Sequence, residues 1–260
     1  MAPNADETCR AITDYLGRKL ALHVEFVGDI SWRERERQFD TGQIQLCWLC
    51  GLPYVWKADA PAPAIELVAA PVMSASRYDD RSQYFSDVVV NSRSRFASFD
   101  DLRGASWAYN EPHSHSGYNV VRHHLSLLGE FEGYFGETVE SGAHQASLAM
   151  IVDGSIDASA IDSTVLEAEL ARAPHLRSEI RVISTLGPSP MPPWVMRKDL
   201  PDVLKQSLRD VFMGMGSDAA GKEILGNWGM ACFVEVDDAA YDPIRLMLRS
   251  AGPVRLSAQT

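Results

Sequence analysis

At residues 107–121 the sequence reads Trp-Ala-Tyr-Asn-Glu-Pro-His-Ser-His-Ser-Gly-Tyr-Asn-Val-Val. Its first three residues form a short apolar and aromatic run, which is typical of a buried strand. Pro112 disfavours helix for the residue before it, and the serines and glycine of residues 114–117 stand where a helix would begin. Free backbone N–H groups and serine hydroxyls at a helix start form a pocket that suits an anion. We therefore predict a strand, an anion-binding turn and a helix, in this order.

Length, composition and charge limit the classes of protein to which the chain can belong. Its 260 residues, of which 46% are hydrophobic, are enough for one large domain or two lobes with a sizeable core. The formal net charge of −11 and the lack of a basic stripe argue against a nucleic-acid partner. A small anion stays compatible with this charge, because local N–H groups and hydroxyls can bind it within a negative overall field.

Two further absences bear on where the protein works. The sequence has no apolar run of roughly eighteen residues, so we predict no membrane span. Residues 1–7 lack the basic and apolar regions of a secretory signal. We therefore expect either an intracellular protein or one whose targeting segment is missing from this sequence.

Cys47 and Cys50 form a Cys-x-x-Cys motif, for which three roles are open. No second pair of cysteines completes a zinc site. A redox role needs the first cysteine exposed at a helix N-terminus. Here the pair lies in an apolar, strand-like run, so we predict that it packs in the core.

Strand and helix patterns alternate along the chain, which is typical of an α/β fold with parallel strands. The patterns predict helices at 9–20, 32–39, 144–152, 163–173, 201–213, 219–225 and 238–250, and strands at 22–27, 44–49, 65–73, 84–91, 106–109, 138–141, 156–161, 181–185 and 232–236. Two extended crossings, near 84–95 and 182–196, bracket a middle segment. We predict a discontinuous lobe 1 from residues 1–91 and 186–260, and a lobe 2 from residues 92–185.

Five sequence blocks resemble those of one protein family, and they occur in the same order as in that family. They are Tyr-Phe-Ser-Asp-Val-Val-Val at 84–90, Phe-Asp-Asp-Leu-Arg-Gly at 99–104, the stretch at 107–118, Gly-Ala-His-Gln-Ala-Ser-Leu-Ala at 142–149 and Asp-Gly-Ser-Ile-Asp-Ala-Ser-Ala-Ile-Asp-Ser at 153–163. The family is the phosphate/phosphonate-binding solute receptors of ABC importers. The likeness extends from about Cys9 to about Met247.

The resemblance implies a type II periplasmic-binding-protein fold, in which two α/β lobes joined by two hinge crossovers close on a small ligand. The family's first strand is expected to be missing here, since this sequence starts just after it. The ligand-binding residues that carry over are Ser114, His115, Ser116 and Gly117 of the turn, His144 of the Gly-x-His block, Asp162 at the end of a strand, and the aromatic residues Tyr54 and Tyr84. Asp162 also suits a helix N-cap, which leaves its role open.

His115 stands where the family usually has threonine, so an imidazole replaces a hydroxyl that would face the ligand. The ring could donate to an anion or bind something else. A zinc site of Glu111, His113 and His115 with His144 is a disfavoured alternative, because three ligands on one turn seldom suffice. We predict no metal, no cofactor and no catalytic residue, since Ser116 has no base at a defensible spacing.

Two functions from different classes follow. The first is the solute-binding component of an ABC-type importer, which binds phosphonate, phosphite or phosphate in the inter-lobe cleft. As its setting we expect a periplasmic or extracytoplasmic monomer with an ABC permease as partner. The second is an intracellular enzyme or ligand sensor on the same fold, dependent on histidine or metal. We adopt the first function, on the ordered set of family blocks; the second is the alternative and draws its support from the missing signal and the additional histidines.

Overall fold

The computed structural model describes residues 5–28 and 30–256. The helices are α1 Asp6–Leu20, α2 Trp32–Asp40, α3 Gly51–Ala58, α4 Val120–Leu127, α5 His144–Asp153, α6 Ser163–Arg172, α7 Leu176–Glu179, α8 Asp202–Met215, α9 Ala219–Gly226 and α10 Asp242–Ala251. The strands are β1 Leu46–Trp48, β2 Ile65–Met73, β3 Gln83–Asn91, β4 Trp107–Tyr109, β5 Thr138–Glu140, β6 Ala158–Asp162, β7 Ile180–Pro190, β8 Trp194–Arg197 and β9 Met230–Val234. No helix among these described residues is both long and apolar enough to cross a membrane.

The chain divides into two compact units. Within the described residues, the first unit comprises the chain up to Gln83 together with Pro190–Asp242, and the second comprises Tyr84–Ser189 and the chain from Pro243 onward. These bounds differ from the lobes predicted at 1–91, 92–185 and 186–260. Residues 84–91 and 186–189 belong to the second unit because β3 and β7 are strands of its sheet.

The chain beyond residue 243 also joins the second unit, which the sequence patterns did not predict. The guanidinium of Arg122 on α4 donates to the carbonyl oxygens of Val254, at 2.8 Å, and Gly252, at 3.2 Å. Val254 and Leu256 are buried in the same core cluster as β3 and β4. Apolar burial and charge-assisted hydrogen bonds therefore hold the C-terminal segment on α4.

The first unit contains a four-stranded sheet in the order β1-β8-β2-β9, and all its neighbouring strands are antiparallel. The alternation of strands and helices predicted parallel pairs instead. β1 and β2 do run in the same direction, but β8 lies between them and runs the opposite way. The stacked rings of Trp48 and Trp194, with centroids 5.8 Å apart, pack β1 against β8.

The strand predicted at 22–27 does not form. The structure shows no strand at residues 22–28, although their alternating pattern is that of a strand. A cavity of about 440 Å³ is lined both by these residues and by residues 43–48 around β1. A strand needs a neighbouring strand to pair its N–H and C=O groups, and within the described residues no strand of the sheet pairs with residues 22–28.

The Cys-x-x-Cys motif spans the end of β1 and the start of α3, a helix that the sequence reading missed. Cys47 is buried, and burial raises the pKa of its thiol to about 11. Cys50 is half-buried and precedes the first residue of α3. A buried first thiol with a raised pKa is the opposite of what a redox pair requires, which agrees with the predicted packing role for Cys47.

The second unit contains a five-stranded sheet in the order β5-β4-β6-β3-β7. β4 is parallel to both β5 and β6, whereas β3 is antiparallel to β6. Trp107 of β4 is fully buried, and its ring stacks on Phe135 with centroids 4.4 Å apart. Because β5, β4 and β6 run in the same direction, their carboxyl ends meet at one sheet edge, which is the edge where α/β folds place ligands.

Candidate functional site

The turn at that sheet edge opens with a serine cap and a wide helical turn. The Ser114 hydroxyl accepts from the Gly117 N–H at 3.1 Å. Residues His115–Asn119 then form a π-helical turn, in which the Asn119 N–H donates to the Ser114 carbonyl at 3.0 Å, before α4 begins. π-helical turns are rare in proteins, and those that occur are often at functional sites. The strand, turn and helix predicted at 107–121 are thus present in this order.

Ser116 and His144 meet at the turn. The Ser116 hydroxyl lies 3.0 Å from Nε2 of His144, the first residue of α5. Both side chains are buried, and burial lowers the pKa of His144 to about 4, so the ring is neutral near pH 7. The pair then carries two exchangeable protons and uses one in the mutual hydrogen bond. Whichever group donates in that bond, one donor is left for an oxyanion.

Gly117 allows the turn to approach its neighbours closely. A Cβ atom built at this position would lie well inside van der Waals contact with Oδ1 of Asn110 and 3.1 Å from Cε1 of His144. Any larger residue would therefore displace the turn from Asn110 and His144. This close approach explains why position 117 is a glycine.

Two buried polar atoms beside Gly117 lack hydrogen-bond partners within the described part of the chain. They are Oδ1 of Asn110 and Nδ1 of His144. Leaving such an atom unpaired costs about 1–3 kcal/mol, so unpaired atoms concentrate where something else completes the bonding. Asn110 follows β4 directly and was missed by the sequence reading. The two atoms make this edge of the second unit a candidate site for a polar ligand.

His115 is fully buried at the start of the π-turn. Its Nε2 lies 2.9 Å from the Ser189 hydroxyl, and its Nδ1 lies 3.2 Å from the amide nitrogen of Asn119. Burial lowers the pKa of the ring to about 3, so it too is neutral. The direct contact with an anion that we predicted for His115 stays a prediction.

Asp162 ends β6 and caps α6. Its Oδ1 accepts from the Thr164 N–H at 2.9 Å and from the Thr164 hydroxyl at 2.7 Å. Burial raises the pKa of this carboxyl to about 6. The capping role is therefore present, with Asp162 and not Ser163 in the N-cap position. A ligand contact for Asp162 stays a prediction.

The two tyrosines predicted to contact the ligand lie in different units. Tyr84 is buried near the start of β3 in the second unit, whereas the neighbouring Phe85 is half-buried. Tyr54 is buried on α3 of the first unit, where its hydroxyl donates to Asp238 at 2.7 Å and its ring contacts Tyr241. The structure thus brings residues 114–117 and His144 together and gives Tyr54 separate partners.

The zinc alternative has no support from the geometry. Across residues 5–28 and 30–256, no group of three or more histidine, cysteine, aspartate or glutamate side chains is arranged to hold a metal ion.

Comparison with known proteins decides the family. A family profile described as "ABC transporter, phosphonate, periplasmic substrate-binding protein" matches residues 2–241. The chain belongs to this family. Members of the phosphonate-binding family are binding proteins and not enzymes, so the chain is the substrate-binding component of an ABC transporter, and the alternative of an enzyme is not favoured.

Two curated relatives are similar in sequence. The phosphonates-binding periplasmic protein of Escherichia coli K12 is 26% identical over 172 residues, which are 64% of this chain and 51% of that protein. The match thus spans about half the length of that relative. The probable ABC transporter phosphite binding protein PhnD1 of Prochlorococcus marinus MIT 9301 is 22% identical over 263 residues, with 96% of this chain and 86% of that protein covered.

Two solved structures of phosphonate-binding proteins share the fold. The binding component of an ABC phosphonate transporter from Pseudomonas aeruginosa has a TM-score of 0.85 at 19% identity, with 97% of this chain and 83% of that chain covered. PhnD1 of Prochlorococcus marinus in complex with methylphosphonate has a TM-score of 0.84 at 21% identity, with 96% and 94% covered. The predicted two-lobe binding-protein fold is confirmed.

The buried neutral His144 gives the protein a testable acid sensitivity. An unfolded histidine has a pKa near 6.5, so between pH 6.5 and about 4 the unfolded state binds more protons at this residue than the folded state. The unfolding free energy therefore falls as the pH falls through this window. Between pH 7 and 5, we expect wild type to lose about 2 kcal/mol more than His144→Gln in urea unfolding.

The control for this pH experiment is His175→Gln, at an exposed position of the same unit. This variant is expected to follow the wild-type pH dependence. The opposite contribution of Asp162, whose raised pKa favours the folded state in acid, is common to all three proteins and cancels in the differences. Equal losses in wild type and His144→Gln would show that His144 is not held neutral by burial.

Proposed function

We propose that the chain captures a small phosphorus oxyanion, such as phosphonate, phosphite or phosphate, at the turn of residues 114–117 and passes it to an ABC permease. The ligand oxygens are held by N–H groups of the π-turn other than those of Gly117 and Asn119, which donate to Ser114, and by the donor left over from the Ser116–His144 pair. The observation that carries this proposal is the convergence of this turn with His144 and two unpaired buried polar atoms.

The site suits a singly protonated or amine-bearing ligand better than a fully ionised one. The unpaired Oδ1 of Asn110 can only accept, so it needs a ligand hydroxyl or ammonium group as donor. Asp162, at the carboxyl end of the strand next to β4, offers further acceptor capacity. A bare dianion would meet these acceptors without a proton to share.

Calorimetry with four probes tests the proposal. They are phosphate, phosphite, methylphosphonate and 2-aminoethylphosphonate. We expect saturable binding of at least one probe, with weaker binding as the pH rises and the monoprotonated fraction of that probe falls. No heat from any of the four at millimolar concentration would remove phosphorus oxyanions as ligands. Chloride and sulfate at the same concentrations serve as control anions.

We infer a setting outside the cytoplasm, which is supported by the word periplasmic in the family's description and in the name of the Escherichia coli relative. A monomer suffices for the proposed role, because the turn and His144 all come from one unit of one chain. Sedimentation at micromolar protein, with and without the ligand found by calorimetry, checks the monomeric state.

A further inference from the structure

The proton positions around His115 follow from its partners. The amide nitrogen of Asn119 can only donate, so Nδ1 of His115 is the acceptor of that hydrogen bond. A neutral imidazole then carries its single proton on Nε2. Nε2 therefore donates to the Ser189 hydroxyl at 2.9 Å. Both ring nitrogens are engaged by protein groups, which leaves neither to serve a ligand while these bonds persist.

Ser189 is far from His115 in sequence and close to the end of its strand. It is buried and is the second-last residue of β7, and it is the last residue of the second unit before the chain passes to the first. The contact thus ties the first residue of the π-turn to the end of β7. A hydroxyl carried on Cβ would be too short to span the same gap, because its oxygen is one bond from Cβ whereas Nε2 is three bonds from Cβ.

We propose that His115 is a positioning residue, whose ring holds the anion-binding turn against the end of β7 and does not contact the ligand. The inference rests on the proposed function, since it assigns a role within the same site. It follows that Ser189 contributes to affinity through His115, although Ser189 lies outside the sequence pattern of the turn.

Three substitutions test the role of His115, with methylphosphonate or another bound probe in calorimetry. His115→Gln keeps a donor near the position of Nε2 and is expected to stay within about threefold of wild type. His115→Asn places its donor too near the backbone, and Ser189→Ala removes the acceptor. His115→Asn and Ser189→Ala are each expected to weaken binding about tenfold. The variant that combines these two substitutions should bind no more weakly than either alone.

Hydrogen exchange without ligand gives an independent readout. The amides of residues 116–120 are expected to exchange faster in Ser189→Ala than in wild type, because the turn loses its tether. If wild type binds none of the four probes, the proposed function fails, and this exchange measurement still decides the role of His115. Unchanged exchange in Ser189→Ala would overturn the inference.

A matched histidine–serine pair supplies the control. His123 on α4 lies within hydrogen-bond distance of the Ser250 hydroxyl, in the same unit. Ser250→Ala is expected to leave affinity and the exchange of residues 116–120 unchanged. Wild-type affinity for Ser189→Ala, together with equal losses in His115→Gln and His115→Asn, would assign the ring to the ligand and overturn the inference. Thermal unfolding of every variant confirms that it is folded.

Discussion

Replacing Gly117 with alanine is expected to weaken oxyanion binding by about a hundredfold and to lower the unfolding free energy by about 1–3 kcal/mol. The added Cβ atom would overlap Oδ1 of Asn110 and crowd Cε1 of His144. The turn has little room to give way, since the Ser114 hydroxyl and carbonyl both hold it by hydrogen bonds. Calorimetry gives the affinity, and urea unfolding gives the stability.

Gly214→Ala is the matched control for this substitution. Gly214 lies inside α8, and no atom would come within 4 Å of a Cβ atom built there. The control should keep the wild-type affinity and gain up to about 1 kcal/mol of stability, because alanine favours helix. Wild-type affinity in Gly117→Ala would show that close approach at the turn is not needed for binding.

Trp107→Ala is expected to lower the unfolding free energy of the second unit by about 3–5 kcal/mol. Trp107 is 0% exposed, and its ring contacts both Phe135, at 4.4 Å, and Phe99, at 6.3 Å between centroids. The loss has two parts, since apolar area is exposed and a cavity is left between the aromatic rings. Urea unfolding followed by far-ultraviolet circular dichroism measures it.

Trp56 gives the comparison for Trp107, because it is 40% exposed on α3. Trp56→Ala is expected to change the unfolding free energy by no more than about 1 kcal/mol. If both tryptophan variants lost the same stability, the core of the second unit would not be organised around Trp107. The binding turn would then not follow a strand that the packing of Trp107 holds rigid.

Local patterns predicted most of the elements of this fold. The strand at 65–73 has the predicted bounds, and helices form where the apolar spacing and the caps placed them. What local patterns missed depends on distant partners. The segment 22–27 has the alternation of a strand, but strands form only when a neighbour pairs with them. The antiparallel insertion of β8 between β1 and β2 likewise depends on residues more than a hundred positions apart.

The residues of the candidate site likewise divide into those that local patterns predicted and those that depend on distant partners. The sequence could predict Ser114, Ser116 and Gly117 because they form a helix cap and a tight turn, which are local features of the chain. His144 came from the family resemblance, and the structure brings it to Ser116. The contact of His115 with Ser189 spans 74 positions, so no spacing rule could have found it. Asn119, by contrast, lies four residues after His115, and helical spacing could have indicated that pair.

We propose that residues 114–117 of the second unit bind a phosphorus oxyanion. Amide-detected NMR of the labelled protein during a methylphosphonate titration tests it residue by residue. We expect the largest saturable shifts at the N–H groups of residues 115–120 and at His144, because these groups face or border the ligand. Saturable shifts confined to other residues, with residues 114–120 unmoved, would contradict the claim.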